Sequence, residues 1–153
     1  MPRGGRALPD ACLDLLGRAE LILHAGDFTA VSFLEELRSL GPPVEAVYGN
    51  MDEQAVRDVL PRERIVAAAG ARIGLVHIPG PLAGREQRLA ARFPGCGAVV
   101  YGHTHVAEVV RHGGVWILNP GSPTERRRSP ARTMLMLTVD TGEIVAELIT
   151  LGP

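Results

Sequence analysis

Apolar residues at positions 8, 12, 15 and 16 fall at the i, i+4, i+7 and i+8 spacing of one face of an α-helix, with Pro9 suited to its first turn. Residues 21–25 then form a short apolar run that stops at Gly26-Asp27, the pattern of a buried strand ending in a polar turn. A second helical face follows at Phe33, Leu34, Leu37 and Leu40, closed by Gly41-Pro42-Pro43, and residues 44–48 give the next strand, ended by Gly49-Asn50. This alternation of helix and buried strand predicts a parallel sheet built from crossover units.

Beyond residue 60 the pattern becomes richer in strands. Residues 65–69 and 72–77 read as strands joined at Gly70, residues 82–93 as a helix, and residues 98–101 as a third buried strand that ends in Gly102-His103-Thr104-His105. Four more strands are predicted at 107–111, 115–118, 132–139 and 143–151, with turns at His112-Gly113-Gly114 and Asp140-Thr141-Gly142. No internal repeat or low-complexity linker breaks the chain, so residues 1–153 are read as one globular unit.

Composition narrows the function classes. Apolar residues make up 46% and charged residues 22%, and no apolar run approaches the roughly 18 to 20 residues of a membrane-spanning helix, so no membrane partner is expected. The polar start, Met1-Pro2-Arg3-Gly4-Gly5-Arg6, has no apolar segment behind it, which makes a cytoplasmic address the expectation. A net charge of −1 offers no attraction to nucleic acid, and Arg126, Arg127 and Arg128 read as a solvated loop. Cys12 and Cys96 have no metal-type spacing and read as core thiols.

The chemistry gathers where the buried strands stop. Asp27, Asn50, His77 and the pair His103 and His105 each follow an apolar run, so donors from four segments can meet at the carboxyl edge of a sheet. Carboxylate, amide and imidazole donors without cysteine suit manganese, iron, nickel, cobalt or zinc. In an extended or turning segment, His103 and His105 project the same way. Isolated histidines such as His24 and His112 read instead as groups that satisfy local hydrogen bonds.

Gly26-Asp27, Gly49-Asn50, His77 and Gly102-His103-Thr104-His105, in this order after buried strands, resemble the motif set of the calcineurin-like metallophosphoesterases, most closely the small bacterial and archaeal phosphodiesterases. Asn119-Pro120-Gly121-Ser122 resembles a further stretch of that subfamily. The resemblance implies a four-layer α/β/β/α sandwich carrying two divalent metal ions, Mn2+ foremost, with Ni2+, Fe2+, Co2+ or Zn2+ as alternatives. It implies that Asp27 bridges both ions, that Asn50, His77 and His103 complete one site, and that His105 serves the other, with Asp27, Asn50 and His103 carrying catalysis. Family members begin with a strand ending in Asp-x-His, and no Asp-x-His occurs in this chain. The fold is therefore expected without that first strand, leaving unpaired backbone and apolar surface in mid-sheet. Two explanations compete: an assigned start that falls too late, favoured because Met1-Pro2-Arg3-Gly4 resembles the loop that follows Asp-x-His and the other ligands are all present, or a degenerate protein that binds metal poorly. The 153-residue product is expected to hold at most one metal tightly.

Other departures shape the expected activity. Many family members place His directly after Gly-Asn, where it protonates the leaving group, whereas this chain has Met51 followed by Asp52. A thioether cannot act as an acid near neutral pH, which favours phosphodiesters. Asp52 is read either as a residue orienting a ligand or as an exposed carboxylate at a helix start. Ile78-Pro79-Gly80 stands where relatives place a second His. The resulting expectation is a phosphodiesterase acting on a small phosphodiester, nucleotide-derived ones included, through a metal-activated water. The alternative is a catalytically impaired scaffold of the same fold that binds protein partners through exposed apolar residues on the final strands.

Overall fold

The structure, a computed structural model, describes residues 7–153; the polar start at 1–6 lies outside the described residues. In chain order the elements are α1 (Asp10–Arg18), β1 (Ile22–His24), α2 (Val31–Arg38), β2 (Val44–Ala46), α3 (Gln54–Val59), β3 (Glu63–Ala68) and β4 (Ala71–Val76). They continue with α4 (Arg85–Arg92), β5 (Ala98–Tyr101), β6 (Glu108–His112), β7 (Val115–Asn119), β8 (Arg132–Asp140) and β9 (Glu143–Gly152). The predicted elements are present with boundaries moved by a few residues, and α3 is additional. At six residues it buries only Val56, too short an apolar stripe for periodicity to reveal.

The sheets are mixed rather than wholly parallel. One has the order β3-β4-β5-β7-β6, with β4, β5 and β7 parallel and the two edge strands antiparallel. The parallel pair β1-β2 and the antiparallel hairpin β8-β9 lie over it. Leu23 and Ala25 from the β1 segment, Leu135, Leu137 and Val139 from β8 and Ile144 from β9 pack against Ile73, Leu75, Ala98, Val100 and Leu118 of the larger sheet. The adjacent residues of β5 point the other way, so Val99 and Tyr101 pack with Leu89 and Phe93 around α4. Phe33, Leu34, Leu37 and Val56 form the third apolar layer under the other helices. These are the four layers of an α/β/β/α sandwich.

Among the described residues the upper layer is interrupted between β1 and β8. These strands do not pair, and a cleft of about 650 Å³ separates them, lined by Leu21, Leu23, Val100, Leu135, Leu137 and Val139. The hairpin is tied down at its far end instead, where the Gly142 N–H donates to the Ala69 carbonyl at 2.8 Å and joins two turn tips. Cys12 and Cys96 are buried free thiols. Among the described residues no helix is long and apolar enough to cross a membrane.

Candidate metal centre

The turns after β1, β2, β4 and β5 converge at one edge. Asp27 and His77 are buried at 6% and 3% exposure, whereas Asn50 and His103 face solvent. Oδ1 of Asn50 lies 2.9 Å from Nε2 of His77 and 3.0 Å from Nδ1 of His103, and Oδ2 of Asp27 lies 3.2 Å from the same Nε2. Adjacent donors on an octahedron with bonds of about 2.1 Å stand roughly 3 Å apart, and each of these three neighbouring pairs has that spacing. Among the described residues no three His, Cys, Asp or Glu side chains form such a group alone. The Asn50 amide joins the cluster together.

Protons argue for the same arrangement. Nδ1 of His77 lies 2.7 Å from the Ala25 carbonyl, which can only accept, so this nitrogen carries the ring proton and Nε2 of the neutral ring presents a lone pair. That lone pair faces two oxygens, and a cation shared between them removes the repulsion. The Met51 N–H donates to Oδ1 of Asp27 at 2.8 Å, which leaves Oδ2 for the cluster. Burial alone would raise the Asp27 pKa, but the adjoining His77 ring and the hydrogen bond from the Met51 amide bring it down to about 2. Burial and the neighbouring His77 lower that of His103. The residues present thus fit a divalent cation.

Backbone strain accompanies the donors. Asp27, His103 and His105 have φ values of 62°, 70° and 60°, in the left-handed region that costs a non-glycine residue about 1–3 kcal/mol. Their neighbours hold them there. Oδ2 of Asp52 accepts the N–H groups of Gly49 at 2.6 Å and Asp27 at 3.1 Å, and Oδ1 accepts that of Thr29, itself at φ 72°, at 2.6 Å. Asp52 is 6% exposed, so it is not an exposed helix-start carboxylate. Asn119, fully buried, donates to the Gly102 carbonyl at 3.2 Å and to the Thr104 hydroxyl at 2.9 Å, and so supports the turn that carries both histidines.

His105 stands apart from the four-atom cluster. It lines the same cavity as Asp27 and His103, but its Nδ1 has no hydrogen-bond partner among the described residues, and Oε2 of Glu125 is 3.7 Å away. Burial and the Arg127 charge lower its pKa to about 4, against the opposing pull of Glu125, which sequence reasoning did not single out. His24 accepts the Gly26 N–H at Nδ1, whereas its buried Nε2 has no partner among the described residues. Its hydrogen bonds are thus only half satisfied. The three arginines at 126–128 are exposed, as expected.

Comparisons with known proteins identify the fold and the family. A probable metallophosphoesterase of Methanothermobacter thermautotrophicus is 35% identical over 156 residues, covering 99% of this chain and 88% of that protein. Vps29 of Entamoeba histolytica, solved in complex with Zn2+, superposes with a TM-score of 0.74 at 23% identity over 99% of this chain and 94% of its own. An archaeal phosphodiesterase superposes with a TM-score of 0.69 at 19% identity over 91% of this chain and 90% of its own. The model of the calcineurin-like phosphoesterase superfamily domain matches residues 5–142, and the chain belongs to that superfamily.

Proposed function

We propose that the protein is a metal-dependent phosphodiesterase in which Asp27, Asn50, His77 and His103 hold one divalent cation and Asp27 and His105 contribute to a second position. The convergence of the four donor atoms at 2.9–3.2 Å carries this reading. A bound cation supplies charge that polarises phosphoryl oxygens and makes water acidic enough to attack near neutral pH. The chain keeps its donors ready for it. Asp27 stays ionised because its pKa is held at about 2, and the depressed pKa values of His103 and His105 leave their rings neutral, so protons do not compete at pH 7.

Substrate reaches the centre from the side of Asn50 and His103, the exposed members of the cluster. Met51, at 47% exposure, stands beside them with no proton to give. The leaving alcohol must therefore depart as an anion or take its proton from water, which favours diesters of acidic alcohols over simple monoesters. Manganese suits the oxygen and imidazole donors, and a small nucleotide-derived diester suits the open approach.

The test assays bis(p-nitrophenyl) phosphate against p-nitrophenyl phosphate with added manganese, alongside measurement of bound metal. The expected result is preference for the diester, about one tightly held ion per chain, and losses of at least about 100-fold in Asp27→Asn and His103→Ala. A protein that binds no metal and turns over neither ester would overturn the reading. The scaffold alternative has Val145 and Leu148 of β9, which are 63% and 42% exposed, in its favour. It gives no account of why four donors from distant turns meet.

A further inference from the structure

Beside Asn50 and His77 lies a second cleft of about 270 Å³, lined also by Tyr48, Arg57, Arg62 and Ile78. Its cations stand out from the other arginines nearby. Arg64 is paired with Glu45 and Arg92 with Glu63, whereas neither Arg57 nor Arg62 has a carboxylate partner among the described residues. Arg57 is nonetheless held in place. Its Nε donates to the Asp52 carbonyl and its Nη2 to the Asn50 carbonyl, each at 3.1 Å, and its guanidinium lies 5.3 Å from the Tyr48 ring centre. Neutral carbonyls and an aromatic face fix the guanidinium without neutralising it. Two of its five N–H groups are thereby used, which leaves donors for an anion.

We infer that this cleft is an anion subsite, which binds a second phosphoryl group of the substrate next to the one undergoing hydrolysis. The geometry favours a phosphate over a neutral group. An ordered guanidinium and an exposed one, Arg62, line a space with room for a phosphate whose wall includes the cluster members Asn50 and His77, so a charge held there is a near neighbour of the reacting centre. A simple diester leaves the cleft empty, whereas a diester with an additional terminal phosphate fills both positions. The inference builds on the phosphodiesterase reading, and it specifies the substrate class as polyanionic diesters.

The experiment compares dithymidine dinucleotides with and without a terminal phosphate in the manganese-loaded protein. The terminal phosphate is expected to lower KM by roughly tenfold, a gain of the size expected from one charge-assisted contact. Arg62→Ala and Arg57→Gln should reduce that ratio toward one. In parallel, calorimetric titration with pyrophosphate and with inorganic phosphate reads binding without turnover. Pyrophosphate should bind about tenfold more tightly than phosphate, and Arg62→Ala, which removes no side-chain hydrogen bond among the described residues, should erase the difference. Equal affinity for the two anions in the unaltered protein, or a preference that survives both substitutions, would overturn the subsite. Absence of hydrolysis of either dinucleotide, with the pyrophosphate preference intact, would instead overturn the phosphodiesterase reading and leave the anion site standing.

Discussion

The buried carboxylate of Asp52 holds the backbone N–H of Asp27 at 3.1 Å, so the residue that presents a carboxylate to the four-donor cluster is itself fixed by a second carboxylate 25 positions away. The same Oδ2 takes the Gly49 N–H and Oδ1 takes the Thr29 N–H, which binds the turns after β1 and β2 into one unit. Asp52→Asn keeps the shape but puts an NH2 group against at least one of these N–H donors, whichever way the amide is turned. Manganese affinity measured by calorimetry should fall about 10- to 100-fold while the circular dichroism spectrum is retained. Unchanged affinity would mean that Asp52 supports the fold without ordering the cluster.

Gly49 supplies the space this arrangement needs. A Cβ there would stand 2.2 Å from Oδ1 of Asp27 and 2.5 Å from its N, and the atoms it meets are backbone and a carboxylate already held by hydrogen bonds. Gly49→Ala should therefore separate the two turns and cost about 2–4 kcal/mol in denaturant unfolding, with loss of tight metal binding. Gly17, in the last turn of α1, is the contrast. Among the described residues nothing outside its own helix turn lies within 4 Å of a Cβ built there, and Gly17→Ala should be neutral or stabilise by up to about 1 kcal/mol. If both alanines cost the same, close approach is not what position 49 requires.

The legible parts of this molecule are those where a local pattern and a tertiary role coincide. Residues 98–101 form a continuous apolar run because β5 is buried on both faces, and the run ends where the strand ends, which placed His103 and His105 at the sheet edge. Asp27, Asn50 and His77 were found on the same grounds. The left-handed φ values of Asp27, Thr29 and His103 carry no such signal, since they are imposed by Asp52 and by packing rather than by residue type. Asp52 itself reads from sequence as either a helix-start carboxylate or an orienting group. Only the meeting of two turns decides between them. Glu125 and Arg57 were missed for a related reason, because each matters through a partner in another segment: His105 for Glu125 and Tyr48 for Arg57.

The core beneath α4 gives a test that leaves the donor cluster untouched. A Cβ at Gly74 of β4 would stand 2.5 Å from Cγ of Phe93 and less than 3 Å from both Cδ atoms, so the ring lies flat on the glycine. Phe93 is 4% exposed and packs with Leu89 and Val99. Gly74→Ala should cost about 1–3 kcal/mol through displacement of the ring, and the double variant with Phe93→Leu should recover part of that loss. Purely additive costs in chemical denaturation would show that the contact is not responsible.

Acid should destabilise the metal-free protein through histidines before it does so through carboxylates. Burial, with the nearby His77 adding to it and Asp27 opposing, lowers the pKa of His24 from 6.5 to about 3, and the ring stacks on Phe28 at 3.8 Å. Between these two values the unfolded chain binds a proton at this position that the folded chain refuses. Stability therefore rises with pH through the window, is fully present above about 6.5, and is lost progressively as pH falls toward 3. Asp27, whose pKa is lowered from 3.8 to about 2, adds a loss only below about pH 4. Denaturant unfolding in the presence of a chelator should give a free energy about 2 kcal/mol lower at pH 5 than at pH 7 from His24 alone, with His105 adding to it. His24→Gln removes one of these groups, so its own difference between the two pH values should shrink by about that amount, whatever the substitution costs at neutral pH. A pH dependence identical in the two proteins would show that His24 takes up its proton in the folded state.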